Sequence, residues 1–377
     1  MVMACYGGDS SFLCISGRGY KELTMNVNHT MSPVRKAVLG LLVPLIYTSS
    51  VMATESAFEI TPDAGVTPYI VNGSNASVTD FPSMASLFID RIDYDGVYST
   101  GPYCGATILD PTHILTAAHC IYGNEEGQLF TVVVPQIEDT SQFPNGNIQK
   151  ARVSEVYYRS DYSNALSDLL RNDVAILKLE SALNIDSVND VVKRPSDESY
   201  RVGVNDFVAV GHGDTRSGFD GTTLLQKADL NYVDNATCAL AFTDGSSLTD
   251  NQICFVGDRA TSGLYGGTCQ GDSGGPVYWK DGADYRQVGI TSFGPDTCGG
   301  NSTVTSVFTE IQDYEAWIDS VIAGTETAKF VSTDAKRTAY VNAHTSTGSG
   351  SSGGSVSFGL LGMLMLLAGL RSTLSRR

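Results

Sequence analysis

Between residues 70 and 323 the sequence predicts an all-β fold of two barrels closed by a C-terminal helix. Three observations carry that expectation: short apolar or alternating runs recur, Gly, Pro, Asn and Asp punctuate them, and one convincing amphipathic helix closes the stretch. The runs are MASLFI (Met84 to Ile89), THILTA (Thr112 to Ala117), LFTVVV (Leu129 to Val134), VAILKL (Val174 to Leu179), DFVAVG (Asp206 to Gly211), GPVYW (Gly275 to Trp279) and VFTEI (Val307 to Ile311). The helix is expected over Asp313 to Ala323, where Tyr314, Trp317, Ile318, Val321 and Ile322 share a face, and Gly324 ends it. About 250 residues of such strands suit two barrels with a groove between them.

The chain has 377 residues with 24 Lys plus Arg against 41 Asp plus Glu, a net charge of −17. Phosphate binding needs clustered cations, so nucleic acid is excluded as a partner. At 42% hydrophobic residues the chain is neither disordered throughout nor a polytopic membrane protein.

The ends differ from the middle. Residues 31–53 read as a secretory signal peptide: Arg35 and Lys36 precede an apolar run from Ala37 to Tyr47, and Val51-Met52-Ala53 is a small-residue cleavage site. That run of about eleven residues is short of the roughly 20 that span a bilayer. Residues 1–30 then read as an extension upstream of the true start, with Met25 or Met31 as initiator. Residues 324–355, rich in Ser, Thr and Gly, read as a linker, and residues 356–377 as a hydrophobic sorting or membrane tail ending in Arg371, Arg376 and Arg377. Gly353-Gly354, the apolar stretch and the arginines resemble the GlyGly-CTERM sorting tails of Gram-negative secreted proteins. The resemblance implies bacterial export through the periplasm and a rhomboid-type protease acting on the tail, leaving the protein secreted or held at the cell surface. Signal peptidase and the secretion machinery are the other expected partners.

Cys5 and Cys14 precede the signal, which leaves Cys104, Cys120, Cys238, Cys254, Cys269 and Cys298. An even number behind a signal indicates disulfides, though six cysteines allow fifteen pairings. No CxxC occurs, no metal site is expected, and adjacent Glu125 and Glu126 read as solvated acids.

Of the five histidines, His29 precedes the signal and His344 falls in the linker, leaving His113, His119 and His212. His113, close to Pro111, is expected on a surface turn, and His212, between Gly211 and Gly213, in a structural role. His119 ends the strand LTAAHC, Asp173 stands at the mouth of the strand VAILKL, and Ser273 lies in CQGDSGGP. A serine hydroxyl becomes a nucleophile when an imidazole removes its proton, and a buried carboxylate fixes the imidazole tautomer and stabilises the imidazolium. Glycines about Ser273 let the N–H groups of Gly271 and Ser273 converge on a developing oxyanion.

TAAHC, NDVAILKL and CQGDSGGP in that order, with IVNG at Ile70 to Gly73, resemble the chymotrypsin-like (S1) serine proteases over Ile70 to Ala323. The resemblance implies two six-stranded antiparallel barrels, a monomer without cofactor, and hydrolysis of protein or peptide substrates. His119 is implied as general base, Asp173 as its orienter and Ser273 as nucleophile. The implied disulfides are Cys104–Cys120, Cys238–Cys254 and Cys269–Cys298. Ser292 would support the carboxylate and, with Gly294, hold substrate backbone as an added strand. An esterase elbow also fits G-x-S-x-G, but that fold needs its histidine after the serine. An inactive binding module would have lost a triad residue, and none is replaced.

The family's precursors are activated by a cut before Ile-Val, here between Tyr69 and Ile70, which would make residues 54–69 a pro-segment and let the new amine pair with Asp272. Tyr69 makes trypsin a poor activator and leaves self-activation open. The implied P1 pocket comprises Gly267, Thr268, Gln270, Phe293, Gly294 and Ser306. Gly267 stands where trypsin-like members carry an aspartate, so basic side chains would be buried unpaired and apolar or aromatic ones preferred, with an elastase-like preference as the alternative.

Overall fold

A computed structural model describes residues 4–8, 11–15, 70–202, 206–219 and 221–345. The signal peptide, the pro-segment and the tail from residue 346 lie outside the described residues. Within the stretch assigned to an upstream extension, Ala4–Gly8 pairs antiparallel with Ser11–Ile15, a hairpin belonging to a separate unit.

Six strands build the first barrel: β1 Met84–Arg91, β2 Cys104–Asp110, β3 His113–Thr116, β4 Thr131–Pro135, β5 Ala151–Tyr158 and β6 Ala175–Leu179. They pair antiparallel in the order β6-β3-β2-β1-β4-β5, and β5 returns to β6 to close the sheet. The second barrel repeats the plan with β7 Phe207–Gly211, β8 Gln226–Val233, β9 Gln252–Gly257, β10 Pro276–Asp281, β11 Asp284–Phe293 and β12 Ser306–Glu310. Its order is β7-β10-β11-β12-β9-β8, closed by β7 on β8. Both are closed six-stranded antiparallel barrels, which removes the exposed edges of an open sheet.

β-branched and aromatic residues form these strands because they suit a pleated, packed surface. Ile108, Ile114, Leu115, Val153, Val156, Ile176 and Leu177 fill the first barrel. Phe207, Phe255, Val277, Val288 and Phe308 fill the second. A 3-10 turn, Ile311–Tyr314, leads into a helix over Glu315–Ile322, so the predicted helix is two residues shorter at its start. Its Ile318 and Val321 join the core of the first barrel, carrying the chain end back across the molecule.

Three expectations change. Leu129 and Phe130 end a helix, α1 Glu125–Phe130, rather than open a strand; Asn124 caps it by accepting from Gly127 N, and its two glutamates sit in the first turn, where the helix dipole favours acids. His113 is buried on β3, not on a surface turn, with Nδ1 2.7 Å from Asp110 Oδ2. The linker assigned to 324–355 is ordered over its first part: Phe330–Val331 forms β13 on the edge of β5, and Asp334–Thr345 forms a helix against α1. We call the Glu315–Ile322 and Asp334–Thr345 helices α2 and α3. No helix among the described residues is long and apolar enough to cross a membrane.

Candidate active site

The end of β3 and the start of β6 meet, since Ala175 pairs with Thr116. That register delivers the segments bearing His119 and Asp173 to one another. Asp173 is fully buried, and its Oδ1 accepts from His119 N at 2.8 Å while Oδ2 lies 2.7 Å from His119 Nδ1. Ser292, from β11 of the other barrel, donates to the same Oδ2 at 2.6 Å, and Thr309 Oγ1 donates to the Asp173 carbonyl at 2.9 Å. Three donors thus hold one carboxylate in place across the junction. Burial works to lower the His119 pKa, but the adjacent carboxylate outweighs it and raises the imidazole above its ordinary value.

The Ser273 loop bridges both barrels. Gly105 N on β2 donates to Ser273 O at 2.7 Å, and Gly274 N donates to Thr291 O on β11 at 2.8 Å. A side chain at Gly274 would strike Thr116 and Gly105, so the loop packs directly beneath the strand that leads to His119. No hydrogen bond joins Ser273 Oγ to His119 Nε2, which faces Cys120 Sγ at 3.9 Å; such contacts commonly tighten only when substrate binds. Gly271 has φ 96°, a left-handed conformation that a side chain would oppose. Neither Gly271 N–H nor Ser273 N–H donates to a described group, so both are available to an oxyanion.

Asp272 points the other way, into the second barrel. Its fully buried carboxylate accepts from Gly213 N at 2.8 Å and Cys269 N at 2.9 Å. A Cβ at Gly211 or Gly213 would run into it. Burial pushes its pKa up to about 7 against the pull of the two N–H donors. Ile70 is buried in the second-barrel core with the chain uncut, and Val71 O accepts from Gly267 N at 3.2 Å. Its φ of 26° is unfavourable for a β-branched residue.

A cavity of about 300 Å³ opens beside Ser273. Of the predicted pocket residues, Thr268, Gln270, Phe293 and Gly294 line it, together with Ser292. Gly267 and Ser306 do not: Ser306 is fully buried below, its Oγ accepting from both Thr268 N and Thr268 Oγ1 at 2.9 Å. Thr305 lines the wall instead, as does Leu166 from the loop ahead of Asp173, and neither was singled out by the sequence. An Asp at 267 would meet Thr305 Cβ and Oγ1 2.6 Å from its own Cβ. His212 is buried, with Nδ1 3.3 Å from Ser86 Oγ, and burial lowers its pKa to about 4, which keeps it neutral. Glu126 is engaged by Arg91 at 2.5 Å. The six cysteines pair as Cys104–Cys120, Cys238–Cys254 and Cys269–Cys298, the three bridges that the resemblance implied.

Residues 70–318 match the family model described as Trypsin. Chymotrypsin-like elastase family member 1 of Homo sapiens is 30% identical over 259 residues, covering 67% of this chain and 92% of that protein. The Felis catus counterpart is 30% identical over 254 residues, covering 67% and 90%. Among solved structures, mouse neuropsin superposes with a TM-score of 0.53 at 22% identity, covering 66% of this chain and 98% of its own, a likeness of fold alone. With the barrels, the bridges and the family match in agreement, the chain belongs to the trypsin family of serine proteases.

Proposed function

We propose that the protein is a secreted serine endopeptidase, made as a precursor cut between Tyr69 and Ile70, that cleaves peptide bonds through an acyl-enzyme on Ser273. The observation that supports this best is His119, gripped at Nδ1 by a buried carboxylate while the Ser273 loop packs against its own strand. In this reading Nε2 takes the serine proton and returns it to the leaving amine, Asp173 stabilises the imidazolium, and Gly271 N–H with Ser273 N–H holds the oxyanion. Three disulfides favour an oxidising, extracellular setting. Labelling with a fluorophosphonate tests the reading: a covalent adduct on Ser273, lost in His119→Ala, is expected, and an unlabelled processed enzyme would overturn it.

The lining of the cavity supports an apolar P1 side chain. On a peptide library varied at P1, kcat/KM for apolar residues should exceed that for Lys or Arg by about tenfold or more, because the carboxylate in the lining, Asp296, is exposed and offers a basic side chain only a solvent-screened partner. Gly267→Asp should not create a preference for Lys, since its Cβ alone would collide with Thr305 and displace the floor. A gain above about tenfold on Lys substrates would contradict this account of the floor.

The raised His119 pKa sets the acid limb of activity. His119 must be neutral to act as base, so kcat/KM should rise with pH through a midpoint above 6.5. In Ser292→Ala the Asp173 carboxylate loses the donor at Oδ2, the oxygen that faces His119 Nδ1. A log kcat/KM profile against pH should show the limb displaced relative to the parent, and superimposable profiles would exclude a role for Ser292.

A further inference from the structure

The family match stops at residue 318, yet the chain continues through β13 and α3, and both lie against the first barrel. Three kinds of contact hold this segment. Phe330 and Val331 pair with Val156 and Glu155 on β5, and Lys329 N and Ser332 N donate to Val156 O and Ser154 O at 2.8 Å. The Tyr340 ring packs on Phe130 at 5.4 Å, with the Arg91 guanidinium over both rings at 5.5 to 5.6 Å. Arg337 is only 1% exposed.

A guanidinium is tolerated in such a place only when its donors are matched. Here Nε donates to Leu129 O at 2.7 Å, Nη2 to Val153 O at 2.9 Å, and the group pairs with Glu180 at 2.6 Å and Asp334 at 3.0 Å. The receptor is assembled from the end of α1, the middle of β5 and the residue after β6. Charge acts in the same direction: residues 70–323 hold 14 basic and 34 acidic side chains, whereas 325–345 holds three basic and two acidic.

We propose that residues 325–345 form a clasp belonging to the folded catalytic unit, with Arg337 as its lock, and that the processed enzyme keeps it. Removal of the tail is then confined to the chain beyond Thr345. Cleavage within the clasp would require it to open first, and proteolysis follows the population of such open forms.

The test uses the full chain carrying Ser273→Ala, so that nothing self-cleaves, digested under native conditions with thermolysin and mapped by mass. Toward the C-terminus, cuts are expected only beyond residue 345, with those inside 325–344 slower by about 100-fold or more. Adding Arg337→Ala should lower Tm by about 8 °C and bring cuts inside the segment up at least about tenfold. Arg337→Lys should fall between, because one ammonium cannot serve both carbonyls and both carboxylates. It carries the comparison if the alanine variant does not accumulate. Cutting inside 325–344 as fast as beyond 345, or an Arg337→Ala chain melting within about 1 °C of its parent, would overturn the proposal.

Discussion

Asp173→Asn should leave the fold intact and lower kcat by about 10⁴-fold at neutral pH. The side chain is isosteric, and one amide oxygen can still accept from His119 N, as Oδ1 does now at 2.8 Å. The other position becomes an NH₂ facing both His119 Nδ1 and the Ser292 hydroxyl, which donate or share protons there at 2.7 and 2.6 Å. His119 must then turn Nδ1 into an acceptor, and its proton moves to Nε2, the atom that has to take the serine proton. A circular dichroism spectrum and Tm near those of the parent would locate the loss in chemistry. A fall smaller than tenfold would mean that Asp173 does not orient the base.

Asp272→Asn should abolish most of the activity gained on cleavage, by about 10² to 10³-fold, the range expected when one oxyanion donor is misplaced. Both Asp272 oxygens now accept backbone N–H groups, from Gly213 and Cys269. An amide can serve only one of them and must point its own NH₂ at the other. In the proposed cut form it would also offer no charge to the amine of Ile70. The uncut chain should show a matching pH effect. Because burial raises the folded pKa of Asp272 to about 7, its contribution is present below the unfolded value near 4 and is lost as pH rises toward 7. The loss is on the order of 4 kcal/mol over that window. Urea titrations of the uncut Ser273→Ala chain at pH 5 and 7.5 should show the larger part of it, about 2.5 kcal/mol, and the Asn variant should not. A cleaved chain should lose less, since the new cation compensates the ionised carboxylate. Equal pH dependence in cut and uncut chains would contradict the pairing.

The site is legible in the sequence where chemistry and backbone demand coincide. His119 lies in the 3-10 turn Ala118–Cys120 just past β3, not in the strand itself, Asp173 just ahead of β6, and Ser273 in a run of glycines. Thr305 was missed because its inward orientation depends on the pairing of Thr309 with Gln252 and Phe308 with Ile253 across two strands, which no local pattern encodes. His113 was misplaced because Pro111 suggested a turn, and the Asp110 carboxylate that lets a histidine be buried three residues away reads as an ordinary loop acid. The clasp was invisible for a stronger reason. Arginine is rarely buried, and the acceptors that bury Arg337 come from residues 208 and 184 positions away. A Thr- and Ala-rich composition carried no hint of them.

The three disulfides among the described residues share one property: each closes a loop of 16 or 29 residues inside a single barrel. Among the described residues no disulfide joins the barrels, and the chain itself links them three times: Ile70 to Asn75 lie on the second barrel ahead of β1, β6 runs on to β7, and α2 returns from β12 to the first barrel. The first and last of these links make a closed circuit with the middle one, in which neither half can swing away without also unseating an end of the folded stretch. The expected thermodynamic signature is one cooperative calorimetric transition with equal van't Hoff and calorimetric enthalpies. Two resolved transitions would show that the circuit opens before the barrels melt.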